Sequence, residues 1–243
     1  TEYFYSKPTL VLDVGVRGML NVLDSCIRRG VGELIIASSS EVYQTAPIIP
    51  TDEKVPLVVP DVTNPRYSYG GGKIISELMA INYGRDYFER VLIFRPTNVY
   101  GSDMGYEHVI PQLAVRAIRA IESCELGVIQ IPIQGTGYES RSFCHIDDFI
   151  DGLMCMIEHG AHLGIYNVGI DEEITIRSLV KLIFDHYAPD RHYQIIPGDL
   201  LRGSTKRRCP DISKLKALGY SPSVPLHRGL PPVLRWYSQH LNP

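Results

Sequence analysis

The segment that most constrains this chain is Leu34-Ile35-Ile36-Ala37, an unbroken apolar run that ends in Ser38-Ser39-Ser40-Glu41. Four apolar residues bounded by glycines on one side and hydroxyls on the other predict a short buried strand over 33–37. The residues before it predict a helix over 8–29. Leu12, Val16, Met19, Leu20, Leu23, Cys26 and Ile27 recur at helical spacing, Pro8 suits a first turn, and Gly30-Val31-Gly32 ends it. A helix that feeds an all-apolar strand is the pattern of a parallel sheet covered by helices, so the fold class is α/β. The pattern continues. A helix is predicted over 68–87, strands over Val91–Phe94 and Tyr166–Val168, and an extended loop over 44–66, which carries Pro47, Pro50, Pro56, Pro60 and Pro65.

The second helix opens with Tyr69-Gly70-Gly71-Gly72-Lys73. One helical turn puts Tyr69 and Lys73 on one face. An ammonium beside a phenol favours the phenolate, so the pair can form a base. Moving a phenol from ~10 to near neutrality takes roughly 4 kcal/mol of electrostatics. Alone the pattern is weak, because the chain has 15 tyrosines and Tyr3 with Lys7 repeats it. Tyr69 stands out by its setting, with a helix after it and a strand-end hydroxyl cluster upstream. Three glycines inside a helix cost roughly 1 kcal/mol each relative to alanine.

At 243 residues the chain predicts one large domain, or one domain with a small lobe. A net charge of −3 implies no general attraction to nucleic acid or to a membrane surface. No apolar run approaches the ~20 residues needed to span a bilayer. The five cysteines, at 26, 124, 144, 155 and 209, lack CxxC spacing and suggest reduced core thiols in a cytoplasmic compartment. His145 beside Asp147 and Asp148 lacks a third ligand at suitable spacing, so no metal site is expected. Asp147 is expected to N-cap a helix, a further helix should begin near Pro210, and the terminal helix over 226–241 should be interrupted by Pro231-Pro232.

Taken together, SSSEVY, then NPRYSYGGGK, then RPTNVYG (95–101), then RSFCHIDD (141–148) resemble the extended short-chain dehydrogenase/reductase family, and within it the NAD-dependent nucleotide-sugar epimerases, dehydratases and decarboxylases. The resemblance implies a Rossmann-type parallel sheet over 1–101 and a smaller substrate lobe over 102–243, with 143–170 returning to the sheet. It also implies NAD as cofactor, a nucleotide-diphosphate sugar as substrate, and a homodimer built on helices 8–29 and 68–87. The family opens with a strand and a G-x-x-G-x-x-G turn that receives pyrophosphate. Residues 1–30 do not match it, so the N-terminal βαβ portion is expected to be missing and the sequence to be a fragment.

By the same resemblance Tyr69 is the acid/base, Lys73 lowers its pKa and holds the nicotinamide ribose, and Ser39 bonds the reacting sugar oxygen. Ser40 and Glu41 match the Ser-Glu of dehydratases and decarboxylases, where Glu41 serves either as a further acid/base or only as a loop carboxylate. Ala37, Ser38 and Pro96 are expected along the cofactor. Asn98, Arg141 and Arg208 are expected at the substrate diphosphate, where a guanidinium fork fits phosphate oxygens. Arg66, in P-R-x-x-Y, either binds a hexuronate carboxylate or caps the proline loop. His108 either contacts substrate or stands at an exposed helix start. The leading reading the resemblance implies is an NAD-dependent nucleotide-sugar epimerase/4,6-dehydratase that works through a 4-keto intermediate, with two rivals: a UDP-glucuronate decarboxylase, and a non-catalytic nucleotide-sugar-binding protein.

Overall fold

The computed structural model describes residues 2–200 and 202–241. Helices α1 (Glu2–Ser6), α2 (Pro8–Leu12) and α3 (Gly18–Arg28) precede strand β1 (Glu33–Ala37). A 3-10 turn, Ser40–Tyr43, leads through the proline loop into α4 (Tyr67–Tyr87), β2 (Arg90–Pro96) and β3 (Val99–Tyr100). Then come α5 (Val109–Glu122), β4 (Ile129–Pro132), β5 (Ser140–Arg141), β6 (Cys144–His145) and α6 (Ile146–His159). The chain closes with β7 (Gly164–Val168), β8 (Ile174–Thr175), α7 (Ile176–Tyr187), β9 (Tyr193–Ile196), β10 (Arg207–Arg208), α8 (Ser213–Lys216) and α9 (Leu226–Gln239).

The central sheet has the order β1-β2-β7, all parallel, with Leu34 opposite Val91 and Phe94 opposite Tyr166. Alternate residues of β2 face opposite layers. Val91 and Ile93 pack with Met19, Leu23, Leu34, Ile36, Ala80 and Phe88. Leu92 packs on the other face with Met156, Tyr166, Val168, Ile212, Leu215 and Tyr220. A separate core joins α5, α7 and α9 around Leu113, Ile129, Leu179, Phe184, Leu230 and Tyr237. Its small parallel pair β4–β9 sets Ile131 opposite Ile195.

Several expectations change. The run 34–37 is half-buried: only Leu34 and Ile36 are covered, and Ile35 is 39% exposed. The reason is position, since β1 is an edge strand whose outer face borders a groove of about 640 Å³. The helix predicted over 8–29 passes through a π-helical turn at Asp13–Arg17, where the Ser76 hydroxyl donates to the Gly15 carbonyl at 3.0 Å. Asp147 does not cap α6. His145 does, its Nδ1 accepting from the Asp147 amide at 3.2 Å. The helix expected near Pro210 is α8, which starts three residues later because Pro210 bridges to Thr51. Pro231 and Pro232 do not interrupt α9. Burial of Leu230, Val233, Leu234 and Tyr237 outweighs the backbone bonds they forfeit.

Candidate active site

Tyr69, Lys73 and Glu77 form one stripe of α4, spaced by single helical turns, and the stripe faces the end of β1. The Lys73 ammonium donates to the Ala37 carbonyl at 2.8 Å. Glu77 accepts the Ser38 hydroxyl. The Ser39 hydroxyl accepts from the Glu41 amide at 3.1 Å and stands near enough to Tyr69 to draw its pKa down. Two consecutive residues of the strand end, Ala37 and Ser38, are thus bonded by two side chains of one helix face.

The structure corrects the electrostatics expected for Tyr69. Burial pushes its pKa above 10, with the Glu41 charge adding to the rise, while the Ser39 hydrogen bond draws it down. Lys73 supplies no lowering here. Its ammonium lies 5.8 Å from the ring centre and is spent on the Ala37 carbonyl. Burial lowers the pKa of Lys73 itself, against the Glu77 charge. Part of the burial of Tyr69 comes from Phe4, stacked on it with centroids 4.8 Å apart and planes 8° from parallel.

Beside this stripe the acidic end of the turn meets a cluster of arginines. Glu41 accepts from Arg208 at 2.7 Å and pairs with Arg66 at 3.5 Å. Burial would raise the Glu41 pKa, but the charge and hydrogen bond of Arg208, with the charges of Arg66 and Arg141, hold it below the ordinary value. Arg141 donates to the Ser140 and Thr205 carbonyls, both at 2.7 Å. Burial first, then the Arg208 charge, lowers its pKa to about 10. Three guanidinium groups around one carboxylate leave the cluster positive, which suits an anionic ligand.

Other expected residues fall elsewhere. Ser38 is buried with its hydroxyl turned into the core, so only its backbone borders the site. Ser40 is also buried. Asn98, at φ 37°, donates to the Ser142 carbonyl at 2.9 Å and ties β3 to the lobe. Pro96 ends β2 opposite Val168. His108 stands exposed at the start of α5 and makes no side-chain capping bond. Among the described residues no cluster suits a metal ion.

Sequence reasoning missed a buried network behind the turn. Arg95 pairs with Glu77 through Nε to Oε1 at 2.9 Å and Nη2 to Oε2 at 2.5 Å. It also donates to the Tyr43 hydroxyl at 2.6 Å, which donates to Asn167 Oδ1 at 2.9 Å. The signals were present: Arg95 ends the apolar run 91–94, and Glu77 continues the Tyr69–Lys73 stripe. Gln44 was missed too. At φ 50° it is buried, and its amide donates to the Glu41 carbonyl at 2.6 Å.

The profile of the NAD dependent epimerase/dehydratase family matches residues 3–169. The chain belongs to this family. UDP-glucuronic acid decarboxylase 1 of Danio rerio is 30% identical over 244 residues, covering 99% of this chain and 55% of that protein. UDP-glucuronic acid decarboxylase 6 of Arabidopsis thaliana is 29% identical, covering 94% of this chain and 64% of that protein. The chain thus spans little more than half to two thirds of these relatives. Among solved structures, a dTDP-glucose 4,6-dehydratase of Streptomyces venezuelae, with NAD bound, superposes with a TM-score of 0.81 at 26% identity. That match covers 96% of this chain and 68% of the other. A UDP-glucose 4-epimerase of Thermotoga maritima, at 22% identity and TM-score 0.83, shares the fold and covers 98% and 74% of the two chains.

The residues present fit one end of the family's cofactor. Tyr69, Lys73, Ala37 and Ser76 line the groove of about 640 Å³ together with apolar Ile35 and Met19, a setting for a ring and its ribose.

Proposed function

We propose that this chain carries the acid/base and substrate-binding part of an NAD-dependent enzyme that converts a nucleotide-diphosphate sugar through a 4-keto intermediate, and that its substrate bears a hexuronate carboxylate. The observation that carries this reading is the arginine cluster on Glu41, beside Tyr69. A carboxylate whose pKa is lowered by neighbouring guanidinium groups is a poor proton donor and a weak base at neutral pH. Decarboxylation after C4 oxidation makes little demand on it, because a β-keto acid loses CO2 without abstraction of the C5 proton and without expulsion of the C6 hydroxyl. It does call for cations that bind an anionic sugar, and Arg66 and Arg208 offer them.

NAD+ held along the groove by Tyr69, Lys73 and Ala37 would supply a hydride acceptor for C4 and a positive charge that favours phenolate at Tyr69. The chain's own groups do the rest. Tyr69 takes the proton of the C4 hydroxyl and returns it to that oxygen on re-reduction, Ser39 hydrogen-bonds that oxygen, Lys73 holds the strand end through the Ala37 carbonyl, and solvent water supplies the proton that replaces CO2 at C5. A second reading, 4,6-dehydration, keeps Glu41 as the base at C5 and requires its carboxylate to leave the arginines first. A homodimer fits the exposed apolar residues Ile75 and Leu78 of α4. No helix among the described residues is long and apolar enough to cross a membrane, and we place the enzyme in the cytoplasm.

The test offers UDP-glucuronate, UDP-glucose and dTDP-glucose with NAD+ and follows CO2 release and sugar products by NMR. CO2 from UDP-glucuronate, lost in Tyr69→Phe and reduced at least tenfold in Arg66→Lys, supports the reading. A 4-keto-6-deoxy product from dTDP-glucose supports the second. Calorimetric binding of UDP-sugars without turnover of any would leave a non-catalytic binding protein.

A further inference from the structure

The turn that carries Ser39, Ser40 and Glu41 hangs between two side chains, Ser38 on one side and Tyr43 on the other. Both are tied to the same buried ion pair. Ser38 donates to Glu77, and Tyr43 accepts from Arg95 at 2.6 Å. Glu77 and Arg95 hold each other through two hydrogen bonds, and both are almost wholly buried, at 3% and 2% exposure. The pair is fixed in turn to three parts of the fold. Glu77 belongs to α4, two turns beyond Tyr69. Arg95 belongs to β2, whose Phe94 carbonyl accepts the Ser38 amide at 2.8 Å. Tyr43 passes the connection to Asn167 of β7, whose amide donates to the Thr51 and Asp211 carbonyls at 2.9 and 3.0 Å.

We infer that Glu77 and Arg95 are positioning residues that set the geometry of the 39–41 turn against Tyr69. Neither touches the groove or the arginine cluster. Their effect runs through Ser38 and Tyr43, which fix the two ends of a turn too short to find its own place. Between those anchors the backbone of the turn is bonded through the Glu41 amide to Ser39 Oγ, the Val42 amide to the Ser39 carbonyl, and the Gln44 backbone and side-chain amides to the Glu41 carbonyl, while Val58 donates to the Val42 carbonyl and the arginines hold only the Glu41 carboxylate. An ion pair with two-point geometry tolerates little displacement, so it holds helix and strand end in one register. The catalytic part of this inference rests on the proposed acid/base role of Tyr69, whereas the ordering of the turn does not.

Glu77→Gln strands a buried guanidinium and is expected to unfold the chain, so the test uses Tyr43→Phe and Ser38→Ala, which remove one anchor each and keep the ion pair. Hydrogen exchange of the Glu41, Val42 and Gln44 amides is read beside that of β2 and β7. The expected result is exchange at least tenfold faster in the turn, with strand amides within twofold of the parent. Tyr237→Phe, a buried tyrosine of the other core, is the control and should leave the turn unchanged. With a turned-over sugar in hand, kcat should fall at least tenfold and KM stay within twofold. Turn amides as protected as in the parent overturn the inference, as does a loosened turn with unchanged kcat. If the parent turns over no sugar, the exchange result still decides whether the pair orders the turn, and only the enzyme reading falls.

Discussion

The three glycines between Tyr69 and Lys73 should respond to alanine with opposite signs. Each replacement gains about 1 kcal/mol of helix propensity. At Gly71 the new methyl meets only Val59 Cγ2 at 3.5 Å, an ordinary contact, and at Gly72 only Gly15 Cα and Leu12 Cδ2 at 4.0 Å. Both variants should therefore keep most of the gain. At Gly70 a methyl would overlap the Gln44 amide nitrogen and lie 3.0 Å from the Glu41 carbonyl oxygen. The nearest obstacle is a side chain, but it is buried, at positive φ, and bonded back to that same carbonyl. Overpacking costs about 1–3 kcal/mol, and losing the Gln44 bond about 1 more. After the propensity gain is subtracted, Gly70→Ala should be destabilised by about 1–3 kcal/mol. Gly71→Ala should then melt several degrees above Gly70→Ala, at about 2–4 °C per kcal/mol for a chain of this size. Urea unfolding followed by circular dichroism reads both differences. If Gly70→Ala matches or exceeds the parent in stability, the packing account of this motif is wrong.

Glu41→Gln should alter acid stability. The carboxyl is held below its ordinary value of 4.5 in the folded chain, so its stabilisation is present above that range and is lost as pH falls through the depressed pKa. The variant should be less stable at neutral pH and show a shallower decline below about pH 4.5, read by urea midpoints across pH. Phe4→Ala uncovers one face of Tyr69. Because burial is the first cause of its raised pKa, the phenol should titrate closer to 10, measured as phenolate absorbance against a Tyr69→Phe reference. Arg208→Lys keeps a charge but loses the fork that serves Glu41 and Thr205, and anion affinity measured by calorimetry should fall several-fold.

Much of the sheet was legible because strand and helix periodicities are local. The runs at 34–37, 91–94 and 166–168 appear as β1, β2 and β7, each within two residues of the expected span. Whether a strand lies at the edge or the centre of a sheet is not local, so Ile35 looked buried and is exposed. The same limit hid His145 as a cap, since a histidine acceptor carries none of the usual cap signature. Tyr69, Lys73, Ser39 and Glu41 were named from motif order, and the structure brings them together. Their charges were harder to foresee. A pKa depends on what covers a group, and Phe4 and the Ala37 carbonyl reach Tyr69 and Lys73 from distant parts of the chain.

The two acidic residues near this site, Glu41 and Glu77, show how placement divides similar chemistry. Each pairs with arginine, but Glu77 is 3% exposed and takes both Oε contacts from one fork on a neighbouring strand. Nothing that enters a groove can reach that pair, so it can only hold structure. Glu41 is shared by guanidinium groups from separate segments, the proline loop and β10, and lies at a longer 3.5 Å from Arg66. A competing anion can take those cations one at a time, whereas displacing Glu77 would cost the whole buried fork. Added phosphate or glucuronate should therefore raise the pKa of Glu41 toward the ordinary carboxylate value and leave the exchange protection of the turn, fixed by Glu77, unchanged. Carbon-13 titration of Glu41, assigned with Glu41→Gln, together with hydrogen exchange of the turn amides, separates these roles. If the turn amides lose protection when the anion binds, the pair behind the turn is not a fixed frame.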